Sequence, residues 1–363
     1  MKKIKREDLL KNEVQHIDIK EINTMAYVEA QKGMSFSSGE LGKSANIFDE
    51  MLNEKEATII ATIAGSPNAA GCMQVWVDMV KCGMIDCMVL TGASAIDMDF
   101  FEAIGGKHYL KDGKIIISDD ELRRLQIDRI YDVLIDERQL QKCDNAIYNF
   151  VDKQKQQIMT SRDFFYRLGA WLTKHSTKKD SLIQTCYECG VPMFSAALND
   201  SSAGFGFVKH QIKRIREKKS YAVIDGMGDF RELTEITIKA GKTGLFMIGG
   251  GVPKNFVQDT VVCGEVAFGI ENIPMHTWAI QITVADVRDG ACSSSTLSEA
   301  TSWGKVNPQN QQMIFAEATT VIPQIASYLY HKGDWRKRTK RNWNQWFQKS
   351  AYDRLEEIYK KFK

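Results

Sequence analysis

The sequence predicts an α/β protein: a single large, doubly wound, Rossmann-like domain with a mostly parallel sheet and flanking helices. Two observations favour this class. Short apolar runs rich in β-branched residues recur along the chain, as expected of strands that are covered on both faces. Stretches with helical spacing of apolar residues separate several of these runs, so strand and helix alternate. The predicted strands lie within residues 57–64, 84–90, 191–197, 221–225, 243–251, 277–285 and 313–319.

The first three elements show the pattern most clearly. The run ATIIATIA at 57–64 predicts a buried strand, which Gly65-Ser66-Pro67 ends. Pro67 suits the first position of a helix, and the apolar spacing predicts a helix over 68–81 that stops at Cys82-Gly83. The run 84–90 then predicts the next strand. This order and length are typical of a βαβ unit with a parallel crossover.

The remainder of the chain sets the domain boundaries. Residues 118–174 are charged and amphipathic and predict a helical layer or insertion, with Ser161 as an N-cap. No Pro/Gly/Ser-rich linker divides the chain, which favours one large domain over residues 36–330. We expect an N-terminal helical extension over 1–35 and a C-terminal basic and aromatic helix over 331–363.

Composition excludes several classes of protein. The chain is 44% hydrophobic and 26% charged, the range of folded globular proteins. A net charge of +2 from 48 basic and 46 acidic side chains gives no overall field to attract nucleic acid or an anionic membrane. The run from Trp335 to Phe347 mixes basic and aromatic residues, as single-strand binders do, but a packed terminal helix accounts for it better. We expect neither a nucleic-acid nor a membrane partner.

The N-terminus and the cysteines indicate a cytoplasmic protein. Residues 1–13 are charged and lack the apolar core of a signal peptide, and no apolar run reaches the ~20 residues of a membrane span. Eight cysteines are scattered singly apart from Cys186-x-x-Cys189, which argues for reduced thiols. We interpret that pair as an inward-packed helix end, and we predict no metal site.

Four loops that follow predicted strands are candidates for a ligand site, because open α/β sheets bind ligands at the carboxyl ends of their strands. They lie at 65–68, 91–94, 198–202 and 249–251 and are rich in small residues. Such loops let backbone N–H groups approach phosphates, and a helix that begins at Pro67 would direct its positive end toward a dinucleotide. The sequence has no GxGxxG motif. Alone, these loops leave open a nucleotide enzyme and a structural α/β protein.

A later segment is more specific. Glu299 precedes Ser302-Trp303-Gly304-Lys305, and this SWGK motif follows a DGxxS loop that begins at Asp289. Together with GGG at 249–251 and TGA at 91–93, in this order from about Phe36 to Pro323, the pattern resembles the deoxyhypusine synthase family.

The resemblance implies an NAD-dependent transferase. Lys305 would accept a butylamine unit from spermidine as a covalent imine, and a second amine would then displace it. To attack, the Lys305 amine must be neutral, which burial or a neighbouring cation favours. The resemblance also implies a homotetramer with active sites shared between subunits.

The same resemblance assigns two sets of binding residues. Glu299 would pair with a substrate ammonium, Trp303 would offer its ring to a cationic chain, and Asp97 would touch cofactor and amine, standing where the family has Glu. The implied substrate-binding set is Glu299, Trp303, Asp97, Gly250, Asn255 and Cys292. The implied cofactor-binding set is Ser66, Asn68, Thr91, Gly92, Ala93, Asp200, Val284, Ala285, Asp289, Glu317 and Ala318.

Three departures from the family pattern concern the amine pocket. Phe205 and Cys292 stand where the synthase has Asp, and Asn255 stands where it has His. The pocket therefore carries less negative charge, which favours a homospermidine synthase-like enzyme that places the butylamine on a small polyamine such as putrescine. Two alternatives remain open: true deoxyhypusine synthesis on a translation-factor lysine, and a catalytically idle paralogue that binds NAD or a partner.

Overall fold

The computed structural model describes residues 4–155, 158–289 and 295–362. A six-stranded sheet forms its centre, and all neighbouring strands are parallel. In chain order its strands are β1 (Thr58–Ile63), β2 (Cys87–Leu90), β3 (Met193–Phe194), β4 (Thr243–Ile248), β5 (Trp278–Thr283) and β6 (Gln311–Phe315). Their spatial order is 6-5-4-1-2-3. This is the doubly wound order, whose topological switch point lies between β1 and β4, and it confirms the predicted fold class.

Helices cover both faces of this sheet. In chain order the α-helices of the described residues are α1 (Arg6–Leu9), α2 (Met25–Gln31), α3 (Phe36–Asn53), α4 (Met73–Lys81), α5 (Phe101–Ala103), α6 (Asp119–Arg124), α7 (Glu137–Asp152), α8 (Ser161–His175), α9 (Leu182–Cys189), α10 (Ser202–Arg216), α11 (Gly226–Ala240), α12 (Gly251–Val266), α13 (Leu297–Ser302), α14 (Ala318–Lys332), α15 (Trp343–Trp346) and α16 (Ala351–Lys361). None of them combines the length and apolar character that a bilayer crossing requires.

The core accounts for the apolar character of the strands. Phe246 of β4 packs on one face against Phe48 of α3, with ring centroids 5.0 Å apart. Its neighbours Leu245 and Met247 point to the other face and join the cluster that contains Val257 of α12. Because both faces of the sheet are covered, every residue of β4 is buried. The strand therefore lacks the alternation of apolar and polar residues that a half-exposed sheet shows.

The helices after β1 and β2 begin with widened turns. The predicted helix over 68–81 is divided into a wide segment, Asn68–Cys72, and α4. Gly71 has a φ of 105° inside that segment, which interrupts regular helical geometry. A second wide segment, Ala93–Phe100, follows β2. Both place the residues after the strands in tight, irregular backbone at the carboxyl edge of the sheet.

Several local predictions were wrong. Residues 118–174 are not only helical, because Val133–Asp136 forms an antiparallel sheet with Ile127–Ile130 on one side and His108–Leu110 on the other. The run at 221–225 forms Val223–Ile224, which pairs with Ile158–Met159 instead of joining the main sheet. Helix α8 is capped by Thr160, whose hydroxyl accepts a bond from Asp163 N at 3.1 Å, and not by Ser161.

The two ends of the chain pack on the domain. Residues 1–35 contain only the short helices α1 and α2 in their described part. In place of one continuous helix over 331–363, the described residues form the end of α14, a 3-10 turn at Asp334–Lys337, and then α15 and α16. Trp343 and Trp346 are buried in the core, as expected for a packed terminal segment. Arg338 is also buried and forms an ion pair with Asp86, which precedes β2.

Candidate active site

A cleft of about 350 Å³ opens at the carboxyl ends of β1, β4, β5 and β6, beside the switch point. Four residues predicted to bind the cofactor line it: Ser66, Val284, Glu317 and Ala318. Gly249, which follows β4 with a φ of 70°, forms part of its wall. Parallel strands bring these distant segments together because their carboxyl ends meet at one edge of the sheet.

The loops after β1 and β2 are tied to each other beside this cleft. Ser94 Oγ donates to Gly65 O at 2.7 Å, and Thr91 Oγ1 bonds to Ser94 Oγ at 3.1 Å. Asn68 is fully buried, and its Nδ2 donates to Ser94 O at 3.2 Å. Its Oδ1 has no hydrogen-bond partner in the described part of the chain. A buried acceptor oxygen without a partner can take a hydrogen bond from a hydroxyl or amide donor of a bound nucleotide.

Position 92 requires glycine because the neighbouring loop lies too close to leave room for a side chain. A Cβ at this position would lie 2.8 Å from Leu198 O and 2.8 Å from Ser201 Oγ. The loop after β2 therefore contacts the loop after β3 without room for a side chain. Ala93, the next residue, begins the widened helix that carries Asp97.

Glu317 caps α14 from the edge of the cleft. Its carboxylate accepts a hydrogen bond from Thr320 N at 3.1 Å. Burial opposes ionisation, but hydrogen bonds from Thr319 and Thr320 outweigh it and lower the pKa of Glu317. A carboxylate at this strand end can accept bonds from ribose hydroxyls. On the neighbouring loop, Ala285 N donates to Thr283 Oγ1 at 3.1 Å.

Two predicted carboxylates lie at the ends of β2 and β3. Asp97 Oδ1 accepts from Ser202 N at 2.8 Å. Burial raises the pKa of Asp97 to about 6; the Ser202 bonds oppose this shift, and the nearby charges of Asp144 and Asp200 add to it. Asp200 is exposed in the loop before α10.

Lys305 lies in a different part of the molecule. Its Nζ is 2.6 Å from Asp259 Oδ1 of α12 and 5.2 Å from the centroid of the Trp303 ring. The Lys305 side chain is 14% exposed, so the amine is largely enclosed between these two groups. The cation–π contact with the exposed Trp303 ring and the ion pair with Asp259 fix the direction of the Lys305 side chain.

A second lysine stands near Lys305. Lys254, in the first turn of α12, is fully buried and donates to Ser295 O. Burial lowers the pKa of Lys254 to about 8; Glu299 opposes the shift and Lys305 adds to it. Thr296 and Glu299 form a capping box at the start of α13, in which each side chain accepts a hydrogen bond from the backbone N–H of the other residue. The hydrogen bonds from Thr296 lower the pKa of the exposed Glu299 carboxyl.

Sequence reasoning missed Lys254 and Asp259. Lys254 follows GGG in the run GGGVPK, and a lysine in an apolar first turn was a usable signal. Asp259 gave no such signal, because its contact with Lys305 depends on how α12 and α13 pack.

Two of the three other predicted substrate residues lie at the start of α12. Gly250 is the N-cap of that helix, and Asn255 is half-buried in its first turn. Cys292 lies outside the described residues. Asp289 N donates to Asp286 O at 3.1 Å.

Within one chain, the cluster of Lys305, Trp303 and Asp259, here called the Lys305 group, is separate from the cleft at the carboxyl ends of the strands. His276 N, two residues before β5, donates to Lys305 O at 3.0 Å, so Lys305 is anchored at the amino end of that strand. The cleft lies at the carboxyl end of β5, and neither Lys305 nor Trp303 is among the residues that line it. Ser66, Val284, Glu317 and Ala318 are thus brought together, as are Lys305 and Trp303, but the two sets do not meet in one chain.

Comparison with known proteins agrees with this fold and motif pattern. The family model "Deoxyhypusine synthase" matches residues 26–329. The chain is 54% identical over 343 residues to a deoxyhypusine synthase-like protein of Caulobacter vibrioides, covering 94% of this chain and 92% of that protein. It is 50% identical over 347 residues to a protein of that description in Coxiella burnetii, covering 95% and 97%.

A solved structure from Entamoeba histolytica that carries the deoxyhypusine synthase name has a similar fold. Its TM-score is 0.56 at 17% identity, covering 88% of this chain and 97% of that chain. At this identity the likeness concerns the fold alone. The family model and the relatives extend over most of the sequence. This chain therefore belongs to the deoxyhypusine synthase family.

Proposed function

We propose that this protein is an NAD-dependent aminobutyl transferase. It would move a butylamine unit from spermidine or a related polyamine, through an imine on Lys305, to a small polyamine such as putrescine. The observation that carries the proposal is the Lys305 amine, held 2.6 Å from Asp259 and 5.2 Å from the Trp303 ring in a chain of this family. Its place of action would be the cytoplasm.

The residues present suit a dinucleotide. Ser66, Val284 and Glu317 line one cleft at the switch point, and the Asn68 Oδ1 beside it lacks a partner among the described residues. NAD, when bound there, supplies a hydride acceptor that returns the hydride at the end of the cycle. The cleft residues bind and orient the cofactor, with Glu317 available to ribose hydroxyls.

The Lys305 group suits amine transfer. Loss of a hydride and a proton converts the secondary amine of spermidine to an imine. The Lys305 amine attacks that carbon, and the departing aminopropyl part leaves as a diamine. The acceptor amine then displaces Lys305, and hydride return reduces the new imine. Asp259 is in contact with the Lys305 amine and would orient it, while the Trp303 face favours a cationic chain.

The separation between Lys305 and the cleft supports a shared site. Neither Lys305 nor Trp303 lines the cleft within one chain, and imine chemistry needs direct contact between the reacting atoms. We propose a homotetramer in which the Lys305 group of one subunit meets the cofactor cleft of another. Mixing a Lys305→Ala variant with a Gly92→Ala cleft variant should restore activity if sites are shared, and neither variant alone should turn over.

Turnover is tested with purified protein, NAD, spermidine and putrescine. We expect homospermidine and a diamine product by mass spectrometry, and borohydride should leave a butylamine adduct on Lys305. Lys305→Arg keeps the charge but is a poor nucleophile and serves as the matched control. Wild-type protein that forms neither product nor adduct would contradict the proposal and favour the idle paralogue.

Deoxyhypusine synthesis is the second candidate, because relatives at 45–54% identity carry the deoxyhypusine synthase-like description. In the same assay, putrescine is replaced by the acceptor translation factor. Transfer to its lysine in preference to putrescine would favour this candidate over free-amine transfer.

A further inference from the structure

One wall of the cleft comes from outside the main sheet. Strands Ile127–Ile130 and Val133–Asp136 form a hairpin whose turn is Tyr131-Asp132. The four residues at 130–133, here called the hairpin tip, all line the cleft at the ends of β1, β4, β5 and β6. The hairpin tip carries none of the residues that the motif pattern implies for cofactor binding.

Tyr131 of the hairpin tip has an unusual backbone conformation. Its φ is 50°, in the left-handed region that a bulky side chain rarely adopts. Glycine would take this conformation without strain, so an aromatic side chain here costs stability. The side chain is 84% exposed, and core packing therefore does not account for the ring. A strained and exposed aromatic residue at the edge of a cleft points to a role in binding.

Hydrogen bonds hold the hairpin tip in place. Arg129 Nη1 donates to Tyr131 O at 2.7 Å, and two bonds of 2.8 Å fix Arg129 to the Asp119 carboxylate. On the next residue, Asp132 O accepts a hydrogen bond from Lys111 N at 2.8 Å. The Tyr131 ring thus extends from a restrained backbone, so a ligand that contacts it does not have to order the loop first.

The walls of the cleft suit an uncharged nucleoside with a flat base. Val284, after β5, lines the cleft and is 73% exposed, so it and Tyr131 offer two exposed apolar side chains to one ligand. The described lining residues include the carboxylates Asp132 and Glu317 but no Lys, Arg or His. Carboxylates repel a phosphate group and accept hydrogen bonds from ribose hydroxyls.

The position of the cleft indicates which half of a dinucleotide it would hold. Its volume of about 350 Å³ is at the lower end of small-molecule sites, which suits one nucleoside. Asp97, the carboxylate implied for both cofactor and amine, follows β2 and is not among the residues that line the cleft. Hydride transfer requires the nicotinamide ring to contact the reacting amine. The nicotinamide half therefore belongs near β2, and the adenosine half in the cleft.

We propose that Tyr131 stacks on the adenine ring of a dinucleotide bound in this cleft, with Asp132 and Glu317 near the ribose hydroxyls. The inference rests on the proposed function only for the identity of the cofactor, and it adds a contact from outside the main sheet. Loss of one stacked aromatic ring weakens the binding of a base by about tenfold, so the effect is measurable.

Calorimetric titration of the full-length protein with NAD, ADP-ribose and nicotinamide mononucleotide tests the contact. Tyr131→Asn removes the ring and retains a residue that tolerates positive φ. It should weaken the binding of NAD and of ADP-ribose alike, by about tenfold, and leave the mononucleotide unaffected. Tyr131→Phe is the matched control and should bind all three as wild type does. Unchanged ADP-ribose affinity in Tyr131→Asn, or a wild type that binds neither NAD nor ADP-ribose, would overturn the proposal.

Urea unfolding and sedimentation separate a ligand contact from a structural role. Tyr131→Asn and Tyr131→Gly should both unfold at a urea concentration no lower than wild type, because both residues suit positive φ. If both variants are less stable, the ring supports the fold and the proposal is wrong. If Tyr131→Asn dissociates the protein while its NAD affinity is unchanged, a second copy of the chain covers the ring, which also overturns it.

Turnover distinguishes this inference from the transferase proposal. Weaker NAD binding in Tyr131→Asn, together with no product from the wild type, would leave the Tyr131 contact standing while the transferase proposal fails. Unchanged NAD affinity in Tyr131→Asn, together with normal turnover by both proteins, would overturn the Tyr131 contact alone.

Discussion

Substitution of Lys254 by Met should make the protein more stable near neutral pH. Lys254 is fully buried, and its pKa falls from 10.5 to about 8 on folding because its charged form is desolvated. A difference of this size costs the folded state about 3 kcal/mol at pH 7. Met has a similar volume and no charge. Loss of the hydrogen bond to Ser295 O would cost about 1–2 kcal/mol, so the net gain should be about 1–2 kcal/mol.

The sign of the pH dependence follows from the direction of the shift. Below pH 8 both the folded and the unfolded chain hold the Lys254 proton, so the penalty is present in full. As pH rises toward 10.5 the folded state loses the proton first, and the penalty disappears. The free-energy difference between Lys254→Met and wild type should therefore fall by about 2 kcal/mol between pH 7 and pH 9.5.

Urea unfolding at fixed protein concentration measures this difference. Lys254→Arg is the matched control, since arginine stays charged and should be less stable than wild type at both pH values. A Lys254→Met protein that is less stable than wild type at pH 7, or whose advantage does not change with pH, would refute the reasoning. Reduced turnover in the stabilised variant is also expected, because functional sites commonly retain such costs.

Three other predictions follow from the described contacts. Gly92→Ala should lower stability by about 2–3 kcal/mol and weaken NAD binding, because its Cβ would meet Leu198 O at 2.8 Å; Gly113→Ala, with nothing within 4 Å, should be neutral in both assays. Arg338→Met should lower the free energy of unfolding by about 3–5 kcal/mol because it leaves Asp86 buried and unpaired, and adding Asp86→Asn should recover part of the loss. Amine binding near Asp97 should weaken about tenfold from pH 8 to pH 5, since the pKa of Asp97 is about 6, whereas Asp97→Asn should bind weakly and alike at both pH values.

The fold could be predicted where local pattern and burial agree. Strands β1, β2, β4 and β5 are buried throughout because both faces of the sheet are covered, and their largely apolar runs were visible in the sequence. Val133–Asp136 was missed because its small antiparallel sheet lies within a charged stretch that also contains helices. The Val223–Ile224 run was assigned to the wrong sheet, since a two-residue strand carries no information about its partner.

The candidate site was likewise predictable from the sequence only in part. Ser66, Val284 and Glu317 could be expected to meet because parallel strands share a carboxyl edge. The Asp259 contact with Lys305 could not, because it depends on the packing of α12 against the segment after α13.

The separation of Lys305 from the cleft also bears on how such a protein diversifies. The Lys305 backbone is held at the amino end of β5, whereas Phe205 lies in the first turn of α10, after β3. Under the proposed transferase reaction, substitutions in the segment that carries Phe205 can change the accepted amine while the Lys305 nucleophile is retained. Reaction type and substrate range would then be separately heritable traits, and a lineage could alter the second by a few changes on one helix.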